Sequence, residues 1–342
     1  ESQVPSDPSV AVPIPHPMTS LLRDKQVRNE LGMSTAQIDA AEQVIRGVDL
    51  PLWRLRDVPP RQRNDMAVWL IRQLRQGLGQ ILSPPQVERL DQLVRQAEGI
   101  AAVLEPEVAS GMDLTGEQAN RIRILLSTSY AKLATFYRND GLLSESRRVA
   151  YVRNLREETE ENVLAVLSGP QRRTLRKLMG RPFDLSHVRI IACKAPEVQA
   201  DTWINLPEGR TPEPVGKVTV VHFYTFGCGN CIRTLPYYNG WREHFSPSAF
   251  QIIGIHRPET EQEQDIDKVK ERAAEASIQY PVAIDNDSRM WNAWANRIWP
   301  SIYLIDRSGY VRYWWYGELN WQGAESERYL RDRIQELMDE TP

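Results

Sequence analysis

The stretch VTVVHFYTFGCGNC, residues 218–231, sets a β-branched and aromatic run directly against two cysteines separated by two residues. An unbroken run of this kind over 218–226 predicts a strand buried on both faces. A helix pattern follows from about 229 to 245. A strand that stops just before the pair and a helix that begins inside it place Cys228 at a helix N-terminus. The unpaired backbone N–H groups and the dipole there favour negative charge. The thiolate is the reactive form of cysteine, so Cys228 reads as the exposed nucleophile. Cys231, one helical turn on, faces the same sulfur and reads as the resolving thiol.

Outward from this pair, strand and helix patterns alternate to the C-terminus. Strand FQIIGIH (250–256) precedes a helix pattern in EQEQDIDKVKERAAEA (261–276), strand PVAID (281–285) and a short helix near 288–297. Strand SIYLID (301–306) turns through Arg307-Ser308-Gly309 into YVRYWWYG (310–317), and a last helix covers about 323–339. The order β-α-β-α, then a hairpin and a helix, predicts a central mixed sheet with helices on both faces, an α/β domain. Trp291, Trp294, Trp299, Trp314, Trp315 and Trp321 mostly fill its core.

Other chemistry for the pair fits less well. A zinc site needs about four ligands. The only other cysteine is Cys193, and no His pair lies at ligand spacing near 228–231, so no metal is expected. The peroxidatic pattern Pro-x-x-x-Thr-x-x-Cys is met at Thr225 and Cys228 but has Val221 at the proline position, and a second cysteine follows at once. Three cysteines are too few for a disulfide scaffold; Cys193 reads as a buried or half-buried thiol, with regulation or intermolecular pairing as the alternative. His256 ends a strand where loops gather, which leaves a solvated loop histidine and a substrate contact both open. At Trp299-Pro300 the local sequence fits a cis or a trans bond equally.

The segment from about 188 to 340 resembles thioredoxin-fold domains of the TlpA/DipZ type. The matching residues are APEV (195–198), WINLP (203–207), GKVTVVHFYTFGCGNCIRTLPYYNGW (216–241), IIGIHRPE (252–259), YPVAIDND (280–287), WPSIYLIDRSGYVR (299–312) and GE (317–318). The resemblance implies a thiol–disulfide oxidoreductase with active site Cys228-Gly229-Asn230-Cys231. Its redox-active disulfide would serve in place of any metal or organic cofactor. A cis bond at Trp299-Pro300 would turn backbone groups toward the sulfurs and dock an extended substrate, with Trp299, Gly227, Gly229 and Asn230 in the docking surface. Pro236 falls where the family kinks its helix. Two positions depart from the pattern. The residue before the first cysteine, usually aromatic or polar, is Gly227, which leaves that side more open. Relatives carry a buried acid six residues before that cysteine, thought to relay a proton to the second; here it is His222. His222 is expected either to act as this relay, titrating near neutral pH, or to be a neutral core histidine bonded to backbone.

The N-terminal half has a different grammar. Residues 1 to about 20, rich in proline, read as an extended tether with His16 solvated. From 21 to about 182 the pattern is helical, as in 63–82 and 144–167. An apolar residue, then Ser or Thr, then Gln three later recurs at Ser34–Gln37, Ser83–Gln86, Thr115–Gln118 and Ser168–Gln171. Each is a capping box. The first and third lie 81 residues apart and the second and fourth 85, which predicts a tandem duplication over about 30–110 and 111–180. The run resembles the LTxxQ boxes of Spy/CpxP-like periplasmic helical proteins and helical modules of secreted planctomycete proteins. A structural, spacing or homodimerising role is expected of it, with a chaperone role as the alternative.

A chain of 342 residues with 41% apolar and 25% charged residues predicts a globular protein of two or three domains. The net charge of −3 gives no case for nucleic acid or an anionic membrane. No apolar run approaches the roughly 20 residues of a membrane helix. The chain begins at Glu1, leaving room for a removed signal peptide or membrane tether. With the resemblance, this leads to an exported, periplasmic or otherwise extracytoplasmic oxidoreductase. Its partners would be protein thiols or disulfides and an upstream electron donor or acceptor. The alternative is a helical chaperone or dimerisation protein with an auxiliary redox domain.

Overall fold

In the computed structural model, which describes residues 12–139, 145–207, 210, 212 and 215–340, the chain folds as two units, 1–190 and 191–342. The first is largely helical. A short α1 (Pro17–Leu21) and α2 (Lys25–Glu30) lead into two long helices, α3 (Thr35–Trp53) and α4 (Pro60–Gly79), and then α5 (Pro84–Glu98). After a 3-10 turn at Gly99–Leu104 a similar order returns. α6 (Pro106–Gly111) is short, α7 (Gly116–Asn139) and α8 (Glu145–Val166) are long, and α9 (Gly169–Met179) follows.

All four boxes open helices, and in each the glutamine Oε1 accepts the N–H of the Ser or Thr three residues earlier, at 2.8–3.1 Å. The glutamines have a second task that capping alone does not require. Gln37 and Gln86 donate to each other's carbonyls at 2.9 and 3.2 Å, and Gln118 and Gln171 do the same at 2.9 Å each way. Their amides also reach Ile81 O and Leu31 O in the first pair, and Val166 O and Asp113 O in the second. Both pairs therefore tie one helix start to the chain preceding another with the same bonds. Separate cores lie beneath them, one including Ile45, Leu52, Leu74 and Leu93, the other Val103, Ile122, Val163 and Leu175.

Part of the tether expectation is overturned. Residues 1–11 lie outside the described residues, but from Pro17 the chain is helical and Met18 and Leu21 are buried. His16 is buried rather than solvated. Its Nδ1 accepts the Met18 N–H at 3.2 Å as the cap of α1, and burial, helped by nearby Arg75, lowers its pKa to about 3. Pro17 loses nothing at the first helical position, where its N–H would have had no partner. Apolar Met18, Leu21 and Leu22 then gain by packing inward. At the other end Phe183, Leu185 and Val188 pack on the first helical core.

The second unit is an α/β domain. Its strands are β1 (Cys193–Lys194), β2 (Trp203–Ile204), β3 (Val218–Tyr224), β4 (Phe250–His256), β5 (Val282–Ile284), β6 (Ser301–Ile305) and β7 (Tyr310–Tyr316). They form one sheet in the order β1-β7-β6-β3-β4-β5-β2, with β3, β4 and β5 parallel and the remaining pairs antiparallel. The helices are α10 (Gly229–His244), α11 (Ile266–Glu275), α12 (Arg289–Ala293) and α13 (Ser326–Asp339). Every residue of central β3 is buried. Val218, Val220 and Tyr224 pack with Leu235, Tyr238 and Trp241 of α10 and Leu330 and Ile334 of α13. Phe223, pointing the opposite way, meets the rings of Trp291, Trp294 and Tyr303. Cys193 is buried in edge strand β1, opposite Val311.

Candidate active site

β3 delivers the chain into Thr225-Phe226-Gly227, and α10 starts at the next turn. Cys228 is its cap residue, in an extended conformation, and its Sγ accepts the Cys231 N–H at 3.4 Å. Cys228 is half-buried, whereas Cys231 is 1% exposed. Burial, and then a hydrogen bond to Cys228, push the Cys231 thiol well above its ordinary range. One sulfur is reachable and the other keeps its proton.

The docking candidates lie around this turn. Phe223 pairs with Ser301, so Pro300 sits at the strand end beside the cysteine loop. The Trp299–Pro300 bond is cis. Gly227, Gly229 and Asn230 are exposed, Trp299 is half-buried and Pro300 is buried. Phe226, Cys228 and Trp299 all pack on the domain's main core. Trp299 stacks near Trp291, at 4.3 Å between ring centres, and the Arg257 guanidinium lies over both rings. A cleft of about 530 Å³ is lined by Phe226, Gly227, Ile232, Arg272, Glu275 and Ala276.

Behind the pair, on β3, His222 is completely buried among the rings of Tyr224, Tyr238 and Tyr280, 4.1–5.4 Å between centres. Both its nitrogens and all three tyrosine hydroxyls lack a protein hydrogen-bond partner. Burial lowers the His222 pKa to about 3. This corrects both expectations in part. The imidazole does not titrate near neutrality, because nothing compensates its lost hydration, and it is neutral without a bond to backbone. Its tyrosine neighbours lie near Cys231 all the same, since charge on that sulfur would reach Tyr224 and Tyr238.

Ahead of the pair a second set of polar groups is largely engaged, with only the Nδ1 of His256 among its own atoms left without a protein partner. His256, expected to be solvated or a substrate contact, is completely buried and stacked on Phe226. Its Nε2 accepts the Phe226 N–H at 3.4 Å and lies 3.4 Å from Thr225 Oγ1; burial holds its pKa at about 4. Glu263, in a 3-10 turn at Glu261–Gln264, is 4% exposed. Its Oε1 accepts the Gly227 N–H at 2.9 Å, and Oε2 accepts those of Glu259 and Thr260 at 2.6 and 2.9 Å. Burial alone would raise its pKa, but these bonds and one from Thr225 lower it, so it is a carboxylate. Sequence reasoning missed Glu263. The Thr260–Glu263 capping box was visible, but nothing in it announced the partner at Gly227.

Residues 191–314 match the model of the AhpC/TSA family. The second unit is an AhpC/TSA-type thioredoxin-like domain. Over 137 residues, 39% of the chain, it is 36% identical to DipZ of Mycobacterium bovis, and that alignment covers 20% of DipZ. It is 27% identical over 147 residues to the thiol-disulfide oxidoreductase YkuV of Bacillus subtilis, covering 43% of this chain and 95% of YkuV. Among solved structures, a thiol-disulfide isomerase from Corynebacterium glutamicum is 26% identical, with a TM-score of 0.37, over 43% of this chain and 98% of that one. In this domain Val221, at the peroxidatic proline position, is an interior β3 residue paired with Ile253 and Tyr303. Among the described residues, no cluster of three or more His, Cys, Asp or Glu could hold a metal, and no helix is long and apolar enough to cross a membrane.

Proposed function

We propose that this protein is a thiol–disulfide oxidoreductase whose reaction centre is Cys228-Gly229-Asn230-Cys231. The observation that carries the reading is the asymmetry of the pair: a half-exposed sulfur capping α10, and a buried thiol one turn behind it. Toward a partner disulfide, the Cys228 thiolate attacks one partner sulfur. The bond between the partner sulfurs breaks, and its electron pair leaves on the second. Cys231 then loses its proton and attacks Cys228 Sγ, closing the internal disulfide and expelling the first partner sulfur as a thiolate. Two electrons pass to the partner; the proton lost by Cys231 can go to one of its two thiolates, and the other takes its proton from solvent. The reverse sequence oxidises a partner dithiol.

The partner's extended segment lies across Gly227, Gly229, Asn230 and the Trp299–Pro300 strand end, with exposed Ile232 and Ile298 adding apolar contact. No metal or organic cofactor takes part, and the upstream donor or acceptor is another thiol–disulfide couple. His222 lies in the tyrosine cage behind Cys231 and would pass that thiol's proton by accepting on one ring nitrogen and releasing from the other, with water completing the path that the protein itself does not supply. If His222→Asn leaves the pH profile of exchange where it was, the histidine has no such role. The resemblance to TlpA/DipZ-type domains supports an extracytoplasmic setting.

Insulin-disulfide reduction tests the main reading: wild type should be active and Cys228→Ser at least about a thousandfold slower. A second reading, in which the helical unit binds unfolded protein or a second copy, is favoured by its exposed Met66, Trp69, Ile124 and Val149. Suppression of aggregation that survives Cys228→Ser would support it.

A further inference from the structure

The loop before the nucleophile is held at each of three successive residues from one neighbouring segment. Phe226 N–H goes to His256, Gly227 N–H to Glu263, and the Thr225 hydroxyl contacts both. Glu263 itself is fixed by two further backbone N–H groups of its own turn. Such a carboxylate, buried and held by several donors, is rigid. Residue 227 is matched to it: a Cβ there would stand 2.0 Å from Glu263 Oε1 and 3.1 Å from its carboxyl carbon. No ordinary side chain fits at 227 while the carboxylate keeps its place. Gly227 therefore does more than open the surface.

We infer that Glu263 is the positioning residue of the reaction centre: its carboxylate clamps Thr225–Gly227 so that Cys228 meets the start of α10, and Gly227 is the cavity that admits it. The inference rests on the oxidoreductase reading and adds a direction to it. The Glu263 carboxylate is a fixed negative charge held against the Gly227 N–H, next in the chain to Cys228, and it repels the electron-rich dithiol form more than the neutral disulfide. Glu263 thus biases the pair toward the disulfide and makes the dithiol the stronger reductant.

The test is a two-by-two set, Gly227→Ala with and without Glu263→Ala, together with Glu263→Gln, each checked by thermal unfolding. Gly227→Ala should slow exchange about tenfold in the wild-type background and less than about twofold once Glu263 is alanine, because the collision is gone. Glu263→Gln should shift the equilibrium with glutathione about tenfold toward the dithiol, a potential about 30 mV less negative. Equal cost of Gly227→Ala in both backgrounds, or an unmoved equilibrium in Glu263→Gln, overturns the inference. If Glu263→Ala does not fold, the Glu263→Gln potential decides alone. A wild-type protein with no Cys228-dependent exchange would instead overturn the underlying activity.

Discussion

His222 and His256 stand on neighbouring parallel strands, both wholly buried, yet they lie in opposite kinds of surroundings. Around His256 most polar groups are engaged with the cysteine loop or the Glu263 turn; its own Nδ1 and the hydroxyl of Tyr224, which it shares with the other cluster, lack a protein partner. Around His222 five polar atoms from four side chains lack any protein partner. A buried donor or acceptor left unpaired costs about 1–3 kcal/mol unless water serves it. The front cluster thus fixes geometry at Cys228. The rear cluster weakens the fold beside Cys231.

The largest effect that would break this contrast is acid sensitivity. The folded pKa of each histidine is below the ordinary 6.5, at about 3 for His222 and about 4 for His256. The unfolded chain therefore binds protons first. The stability that each neutral ring contributes is complete above pH 6.5 and is lost as pH falls toward the folded value, by up to about 1.4 kcal/mol per pH unit per histidine. His222→Phe should remove one proton's slope from the denaturant stability of the domain between pH 6.5 and 4. An unchanged slope would mean that His222 is already solvated or bonded in the native protein.

Smaller, and specific to the rear cluster, is Tyr238→Phe. Deleting a hydroxyl that has no partner should raise stability by about 1 kcal/mol, measured by urea unfolding. A loss would show that the hydroxyl is served after all. Smallest is a control in the other unit: Gln118→Ala should cost about 1 kcal/mol in helical stability, as a lost cap does, and leave exchange untouched. A changed exchange rate would mean that the redox chemistry depends on the helical boxes.

Which of these features the sequence announced follows from how local their causes are. The strand over 218–224 and the helix from 229 declared themselves because an apolar run and a capping cysteine are neighbours in the chain. The four boxes were visible for the same reason, and their spacing of 81 and 85 residues already hinted at the repeated glutamine pairs. The amide-to-amide bonds of Gln37 with Gln86 were not visible, since they join residues far apart in sequence. β1 and β2 are two residues long, too short to leave an alternating pattern. Glu263 was hidden in ETEQEQ (259–264), which reads as the start of a helix pattern until the fold brings it to Gly227. His16 was misjudged because the prolines around it outweighed a valid helix start at Pro17.

The central claim is that Cys228 and Cys231 interconvert between dithiol and disulfide. Equilibrating the protein in graded dithiothreitol or glutathione buffers, then alkylating and weighing peptides, measures this directly. The account predicts one two-electron transition confined to these two cysteines, at a potential between about −270 and −120 mV, with Cys193 unaltered. Failure of residues 228 and 231 to form a disulfide in any buffer would contradict it.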